Sequence, residues 1–369
     1  MSITTQRGAI SGTVPRPSPD VAGDVPGRLS GPDIHGLSFR AVNASTLVGV
    51  PAVGAGLERV EPALLESVTS GDAFLDQVTT HLIEAGGKRL RPLLTLAAAT
   101  GCVREATDDD VMGGVAVELV HQASLYHDDV IDEAVMRRQV ESVNTRWGNL
   151  VAIVAGDFLL ARSAEIAASL GQEIAALLAN TLARLCEGQL IEIRSKFSPD
   201  RTDSDYFATI AGKTAALLAT SCRVGTLTAK RSRDEVEALT RYGHAFGMVF
   251  QIRDDILDVI GSEKDLGKPT GQDLAEGVYT LPVLLALGDR SAGPKLRSIL
   301  GGPLEADQIG EARGIVSSSG AVEAAISVGS RYVDEACQAL VEVGNVELTR
   351  GLSDLSRTLM DDLVVAAAL

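Results

Sequence analysis

The sequence predicts an all-α fold, a single large helical bundle around a central cavity. From Leu57 onward, apolar residues recur at intervals of three and four, which is the spacing of one face of a helix. Alanine, which has the highest helix propensity, is frequent in the same segments, for example in EIAALLANTLARLCEGQLIEIRSKF. The strand pattern, alternation of apolar and polar residues between hairpin turns, does not occur. We therefore expect helices packed on helices.

The N-terminal segment differs in composition from the rest of the chain. Residues 1–56 are rich in Gly, Pro, Ser and Val and show no sustained helical or strand period. We expect a flexible, disordered extension over residues 1–56 and one folded domain over residues 57–369. A secretory signal is not expected, because no apolar segment follows a basic start, and no segment reaches the length of a membrane span. These features predict a cytoplasmic protein without a transmembrane segment.

The composition limits the classes of partner. With 369 residues, 45% of them hydrophobic, the chain can bury a large core. The formal net charge of −16 argues against nucleic acid or an anionic membrane as the primary partner. The cysteines are far apart, without a CxxC or Cys/His pair, and we expect free, mostly buried thiols in a reducing compartment. They are Cys102, Cys186, Cys222 and Cys337.

Two segments carry the same Asp-Asp-x-x-Asp spacing. In a helix, positions i, i+1 and i+4 lie within an arc of about 100°, so each segment presents one carboxylate stripe. Like charges at this spacing destabilise a helix, so a chain that carries two stripes in apolar surroundings is expected to use them to bind cations. Hard oxygen donors without Cys or His suit Mg²⁺, which binds through one or two carboxylates plus substrate phosphates. The candidate metal ligands are Asp128, Asp129, Asp132, Asp254, Asp255 and Asp258.

Cationic, glycine-containing turns lie between and around the stripes. They are GGKRLRP before the first stripe, an Arg-Arg pair after it, then GKT, and GSEKDLGKPTGQD after the second stripe. An isolated stripe is usually a solvated acidic helix face, but two stripes alternating with such turns have the layout expected for diphosphates. Carboxylates would hold the metal ions, and Lys and Arg would hold the remaining phosphate oxygens.

In these motifs the chain resembles the trans-isoprenyl diphosphate synthases, also called polyprenyl synthetases. The motifs GGKRLRP, ELVHQASLYHDDVID, GDFLLARS, GQLIE, GKT and FQIRDDILDVIGSEKDLGKPTGQDLAEG stand in the family's order, from about Leu57 to the C-terminus. The resemblance implies an isoprenoid synthase-type bundle whose central cavity is an elongation cavity. It also implies a prenyltransferase, usually a homodimer, that uses Mg²⁺ to condense isopentenyl diphosphate head-to-tail with an allylic diphosphate.

The resemblance also implies roles for individual residues. Asp128 and Asp132 from one side, and Asp254 from the other, would bind metal directly. The other three aspartates would act through metal-bound water or orient the direct ligands. Thr214 and Gln251 would lie near the reacting allyl group and, with Lys213, are the candidate catalytic residues. The candidate pocket for isopentenyl diphosphate comprises Lys88, Arg91, His121 and Arg138. The candidate contacts to the allylic diphosphate are Arg137, Lys213 and Lys268.

Simpler interpretations of these side chains remain open at this stage. A Lys or Arg is most often a solvated surface charge, and His121 on an apolar helix face is compatible with a core histidine. The chain also departs from the family pattern at two points. Gln139 and the two residues after it follow the Arg pair where Gly-x-Pro is usual, and Val278 lies where a basic residue is common.

Small side chains before the first stripe predict the length of the product. In the resembled family, side chains one or two turns before that stripe limit the elongation cavity. Here Ser124 and Ala123 are small, and Val120 is of middle size. We therefore expect a medium- or long-chain polyprenyl diphosphate, with geranylgeranyl diphosphate as the alternative. Two other classes stay open, a non-catalytic subunit of a heteromeric synthase and a class I terpene cyclase.

Overall fold

The computed structural model describes Leu47, residues 49–261 and residues 270–367, and for these residues the all-α prediction is confirmed. Among them, β structure is confined to a hairpin of Met136–Arg137 (β1) and Val140–Glu141 (β2), paired antiparallel. The helices before the hairpin are α1 (Pro51–Ser67), α2 (Ala73–Glu84), α3 (Leu90–Thr100) and α4 (Asp108–Ile131). The central helices are α5 (Val143–Trp147), α6 (Asn149–Leu170), α7 (Gln172–Ser195), α8 (Asp203–Ile210), a π-helical turn (Ala211–Ala215), α9 (Ala216–Thr228) and α10 (Arg233–Ile260). The last are α11 (Gln272–Ala275), α12 (Leu281–Gly288), α13 (Ala292–Ile299), α14 (Ala306–Ser318), α15 (Ala321–Ala339), a 3₁₀ turn (Leu340–Glu342) and α16 (Val346–Ala367).

The two helices that carry the Asp stripes, α4 and α10, each begin at a capping box and end near a stripe. Thr107 accepts a hydrogen bond from the Asp110 N–H at the start of α4, and the Asp110 carboxylate accepts one from the Thr107 N–H. Ser232 and Glu235 form the same arrangement at the start of α10. Such a cap stabilises a helix by about 0.5–2 kcal/mol. Both helix starts are therefore fixed, and the opposite ends present the aspartates.

Helix packing creates one main core and one smaller apolar cluster. α4 packs along α6 and α3, and α10 packs along α9 and α15. The smaller cluster lies between α4, α6, α7 and α9 and includes Val117, Val120, Ala167 and Leu217. Val120 also lines a cavity of the functional site, so this cluster forms part of the cavity wall.

Helix α1 begins within the segment that the composition assigns to the extension. It starts at Pro51, where the fixed φ of proline suits the first turn of a helix. Val53 and Gly56 on its first turns are buried. The helix therefore includes residues 51–56. Most of the remaining extension, residues 1–46, lies outside the described residues, and its predicted flexibility stays a prediction.

Helix α7 differs from the sequence-based expectation in two ways. Helix α7, Gln172–Ser195, is long and apolar enough to cross a membrane, although no such segment was expected. Of its most apolar stretch, 28% is buried in the protein. A single helix of this kind is also what a bundle with an apolar cavity contains. Cys186 on this helix was expected to be buried and is exposed. It lines the apolar cavity described below.

Candidate active site

A polar cavity of about 120 Å³ is lined in part by residues from the ends of α4 and α10. Asp132 from the end of α4 and Asp255 from α10 both line it, so the structure brings the two stripes to one cavity. Its charged lining residues are acidic Asp132, Glu192, Asp255, Asp273 and Glu276, and basic Arg201 and Lys213. An excess of carboxylates over cations is the charge pattern expected of a site that receives metal ions together with a phosphorylated substrate.

An apolar cavity of about 360 Å³ adjoins the polar one. Lys213 lines both cavities, and Asp128 lies at the polar end of the apolar one. From there the apolar cavity continues along α4 past Ser124 and Val120, with leucines of α6 and α7 on the other side. Ala123, which we expected beside Ser124, is instead fully buried in the main core. Successive residues of a helix are about 100° apart, so packing decides which of two neighbours faces a cavity.

The aspartates of the first stripe have different environments. Asp129 is fully buried, and its Oδ1 accepts hydrogen bonds from Arg137 Nε at 2.8 Å and Nη2 at 2.5 Å. Asp132 forms a salt bridge with Lys196, 3.0 Å between Oδ1 and Nζ. Burial raises the pKa of the Asp128 carboxyl, and Lys213 opposes this shift. Asp129 is thus fixed by an arginine that we expected to contact the allylic diphosphate.

Protein donors hold Asp255 and Asp258 of the second stripe. Asp255 is buried, its oxygens accept hydrogen bonds from Tyr206 and Gln251, and burial raises the pKa of its carboxyl to about 7. Asp258 accepts the backbone N–H groups of Gln272 and Asp273, one on each oxygen, at 3.1 Å. Asp258 therefore fixes the start of α11, which carries Asp273 into the polar cavity. Asp254 is exposed.

The donor set fits Mg²⁺ bound together with a substrate. Within the described ranges, no three acidic, His or Cys side chains converge on one point. Magnesium is usually bound through one or two carboxylates plus substrate phosphates and does not need a cage made only of protein ligands. Asp129, Asp255 and Asp258 are buried and bonded to protein donors, which suits an orienting role, whereas Asp132, although bonded to Lys196, is only half-buried. Asp128 and Asp132, one turn apart, are hard oxygen donors at the cavities.

A cluster of cationic side chains lies between the GGKRLRP turn and α4. Burial lowers the pKa of His121 well below its ordinary value, and Arg91 and Arg138 lower it further. Burial also lowers the pKa of Arg91 to about 10, although Glu118 opposes this. Nε of Arg91 is buried without a hydrogen-bond partner among the described residues. Arg91 and Arg138 lie beside the His121 imidazole, which is neutral, and both arginines interact with the buried Glu118 carboxylate. Arginine donors suit a diphosphate, and the structure brings these three predicted residues together.

Arg89, which the motif analysis did not single out, holds the GGKRLRP turn in place. It is buried, lies in the left-handed region at φ 47°, and pairs with Glu61 and Glu118. Arg138 Nη1 donates to the Leu82 carbonyl at 2.7 Å and to the carbonyl of Gly86. Lys88 in the same turn is exposed, and Lys268 lies outside the described residues.

The GQLIE and GKT motifs meet through their glycines. A Cβ built on Gly188 would lie 2.7 Å from the Lys213 backbone nitrogen, and one on Gly212 would lie 3.0 Å from the Gly188 Cα. Glycine at both positions lets α7 contact the π-helical turn backbone to backbone. π-helical turns occur frequently at functional sites, and this one directs Lys213 and Thr214 into the polar cavity.

A hydrogen-bonded chain connects both predicted catalytic polar residues to a tyrosine. Thr214 Oγ1 donates to Gln251 Oε1 at 2.7 Å, and Gln251 Nε2 donates to Asp255 Oδ1 at 2.8 Å. Tyr206 Oη donates to Asp255 Oδ2 at 2.6 Å. The sequence analysis missed Tyr206 and also Arg201, because neither belongs to a recognisable motif.

The two departures from the family pattern have clear structural places. Arg138 and Gln139 form the two-residue turn of the β1–β2 hairpin, with φ values of 53° and 66°. Two successive positive φ values match a type I′ turn, in which glycine or asparagine is usual. Val278 lines the polar cavity, so an apolar side chain lies there among charged ones.

Known proteins that are similar to this chain in sequence and in structure are polyprenyl synthetases. The family model described as polyprenyl synthetase matches residues 72–316. Nonaprenyl diphosphate synthase of Mycobacterium tuberculosis is 38% identical over 319 residues, 85% of this chain and 94% of the relative. Heptaprenyl diphosphate synthase component 2 of Geobacillus stearothermophilus is 41% identical over 290 residues, 77% of this chain and 88% of the relative. The crystal structure of a polyprenyl synthase from Caulobacter crescentus, complexed with calcium and isoprenyl diphosphate, has a TM-score of 0.80 at 31% identity and covers 86% of this chain and 97% of its own.

Proposed function

We propose that this chain, which belongs to the polyprenyl synthetase family and is a prenyltransferase, makes a medium- or long-chain trans-polyprenyl diphosphate from isopentenyl diphosphate and an allylic diphosphate. The observation that carries the proposal is the apolar cavity that begins at Asp128 and Lys213 and continues past Ser124 to Val120. Eight helical residues from Asp128 to Val120 span about 12 Å, and one helical turn of about 5.4 Å is close to one isoprene unit. The cavity therefore takes about two isoprene units of a growing chain while its diphosphate stays at the polar end. The nonaprenyl and heptaprenyl relatives support the medium or long product length.

The proposal assigns the diphosphates to the two groups of charged residues. Arg91 and Arg138 as cations, and His121 as a hydrogen-bonding group, would bind isopentenyl diphosphate, because the three lie together and Arg91 Nε has no hydrogen-bond partner among the described residues. Lys213 would contact the allylic diphosphate, because it lies where the polar and apolar cavities adjoin. Arg137 would contact the same diphosphate while paired with Asp129, as Lys213 is paired with Glu192.

Magnesium is the cofactor that we propose, held directly by Asp128, Asp132 and Asp254. Bound there, it would neutralise the negative charge that develops on the leaving diphosphate. The Caulobacter polyprenyl synthase binds calcium together with isoprenyl diphosphate, which supports a divalent cation for this family. Oxygen dipoles of Thr214 and Gln251 beside the polar cavity would stabilise positive charge on the allyl group without reacting with it.

The alternative functions explain fewer of the observations. A non-catalytic subunit would not need both stripes, and this chain has all six aspartates. A terpene cyclase would not need the cationic cluster at Arg91, since it binds no second diphosphate substrate. The name of the Geobacillus relative, component 2, supports only the narrower possibility that an active chain works with a partner.

Purified protein incubated with Mg²⁺, farnesyl diphosphate and labelled isopentenyl diphosphate tests the proposal. We expect label in products longer than geranylgeranyl diphosphate, resolved by chromatography. Pyrophosphate release without incorporation of label would indicate a cyclase. Absence of turnover until a partner subunit is added would indicate a heteromeric enzyme. Products that end at geranylgeranyl diphosphate would restrict the proposal to the shorter alternative.

We also propose a cytoplasmic homodimer that forms through the surface of α2 and α6. Phe74, Leu150 and Val154 are exposed to 52%, 82% and 63% and line one apolar groove. A contiguous exposed apolar surface of this kind marks an interaction site. Leu150→Asp should reduce the mass measured by light scattering from that of a dimer to that of a monomer, whereas Val346→Asp, at an exposed position on α16, should not.

A further inference from the structure

Tyr206 lies on α8, outside every recognised motif, and contacts the second stripe from the side. Its side chain is 1% exposed, and its hydroxyl donates to Asp255 Oδ2 at 2.6 Å. It lines the polar cavity together with Thr214 and Gln251. Tyr206 therefore fixes one oxygen of a carboxyl group that lines the cavity.

Asp255 determines which way the Gln251 amide points. Both Asp255 oxygens accept hydrogen bonds, Oδ2 from Tyr206 at 2.6 Å and Oδ1 from Gln251 Nε2 at 2.8 Å, so the amide nitrogen of Gln251 faces Asp255. The amide carbonyl oxygen then faces away from Asp255 and accepts from Thr214 Oγ1. Because the Thr214 hydroxyl proton is used in that bond, the lone pairs of Oγ1 remain available to face positive charge. The two oxygens thus form an electronegative pair beside the polar cavity.

We propose that Tyr206 is a positioning residue: by holding Asp255, it keeps the Gln251 carbonyl and the Thr214 hydroxyl oxygen oriented to stabilise the positive charge of the reacting allyl group. The inference rests on the proposed prenyltransferase reaction. Preorganised dipoles directed at developing charge contribute strongly to catalysis. A reversed Gln251 amide would instead present its N–H groups and oppose that charge.

The environment of Tyr206 restricts its hydroxyl to this one role. Arg201 lies over the tyrosine ring, 5.7 Å from the guanidinium carbon to the ring centroid. Arg201 is itself buried and donates to the Tyr279 carbonyl at 3.0 Å and to Thr209 Oγ1 at 2.8 Å. The ring is therefore held from one face, and its hydroxyl is directed at Asp255.

Tyr242 provides a matched control for a hydrogen bond that serves stability alone. It is equally buried, and its hydroxyl donates to the Leu352 carbonyl at 3.0 Å and accepts from Ser356 Oγ at 3.2 Å, on the side of α10 that packs against α16. Replacing either tyrosine with phenylalanine removes one buried hydroxyl and leaves the ring. Both variants should fold, and Tyr206→Phe should lose more stability than Tyr242→Phe, because its hydroxyl bonds a carboxyl group.

The kinetic constants of Tyr206→Phe and Tyr242→Phe separate the two roles. We expect Tyr206→Phe to lower kcat by about 10- to 100-fold, the range for partners that orient a functional group, with the KM of each substrate changed less than about twofold. Tyr242→Phe should leave kcat within about twofold, although it too loses a buried hydroxyl and lowers the unfolding midpoint. Equal kcat values for the two variants would overturn the inference.

A double-mutant cycle with Asp255→Asn gives a second measurement. The Asn amide can donate to Gln251 and so reverse its orientation, and the change also removes a carboxylate expected at the metal site, so kcat should fall at least as far as in Tyr206→Phe. Adding Tyr206→Phe to Asp255→Asn should then change kcat little, because both act through Gln251. Additive effects of the two changes on kcat would overturn the inference. If Tyr206→Phe does not fold, a normal kcat of Asp255→Asn would overturn it instead. Failure of the wild type to incorporate isopentenyl diphosphate would instead overturn the proposed function.

Discussion

Lys213 and Glu192 form a salt bridge at the junction of the two cavities, 2.6 Å between Nζ and Oε1. Burial alone would lower the pKa of Lys213, but Glu192 and Asp128 outweigh it and raise the pKa. The contact exists because Gly188, one turn before Glu192, lets α7 approach the π-helical turn. Lys213 is therefore a charged group at a defined position between carboxylates, where the diphosphate end of a substrate is proposed to bind.

Separate variants should distinguish the two diphosphate pockets. Arg91→Ala should chiefly raise the KM for isopentenyl diphosphate, and loss of Lys213 should chiefly impair the allylic substrate, because each removes a charge-assisted contact to one of them. Since Lys213→Ala leaves Glu192 without its partner, the informative variant is Lys213→Ala with Glu192→Gln, compared with Glu192→Gln alone. Steady-state kinetics with each substrate varied in turn measures both effects. Equal changes for both substrates would rule out the assignment.

Neutralising a metal-binding aspartate should abolish most turnover without unfolding the protein. Asp128→Asn and Asp254→Asn each remove a charge from the proposed metal site, and we expect kcat to fall by at least about 100-fold. Folding should survive, because burial already disfavours the charged form of Asp128 and the change relieves like-charge repulsion. Asp354→Asn, at an exposed position on α16, is the control. Near-normal turnover of either stripe variant in Mg²⁺ would contradict the proposed mechanism.

The apolar cavity makes different predictions for two neighbouring residues. Ser124→Phe should shorten the product while leaving the first condensation nearly unchanged, because Ser124 lines the cavity. Ala123→Phe should destabilise the protein by about 1–3 kcal/mol or more through overpacking, because Ala123 is fully buried in the main core. Chromatography of the products and thermal unfolding distinguish these outcomes. A Ser124→Phe enzyme with an unaltered product would contradict the proposed position of the growing chain.

The buried carboxyl of Asp255 should make stability depend on pH in the absence of metal. Burial raises its pKa from an ordinary 3.8 to about 7 in the folded protein, against hydrogen bonds from Tyr206 and Gln251. A raised folded-state pKa contributes stability that is fully present below about pH 4 and is lost as the pH rises through 7. Wild type in EDTA should therefore lose free energy of unfolding relative to Asp255→Asn between pH 4 and 7. A difference between them that stays constant with pH would contradict this shift.

Several features of the site followed from spacing within one segment. The positions of the Asp stripes near helix ends, and the turn that carries Arg91, depend on local periodicity and turn chemistry. Both properties can be predicted from the residue types and their spacing in the sequence. The cationic cluster was also anticipated, since Arg91, His121 and Arg138 come from motifs of the resembled family.

What the sequence by itself determined is the helical class of the chain and the set of charged residues available for chemistry, because both depend on residue type and local spacing. The tertiary structure decided which of those residues are engaged by other parts of the protein. Asp129 is paired with Arg137, Asp255 is held by Tyr206, and Asp258 caps α11. Each of these partners comes from another element, and a contact between elements depends on how their faces pack, which periodicity within one element does not encode.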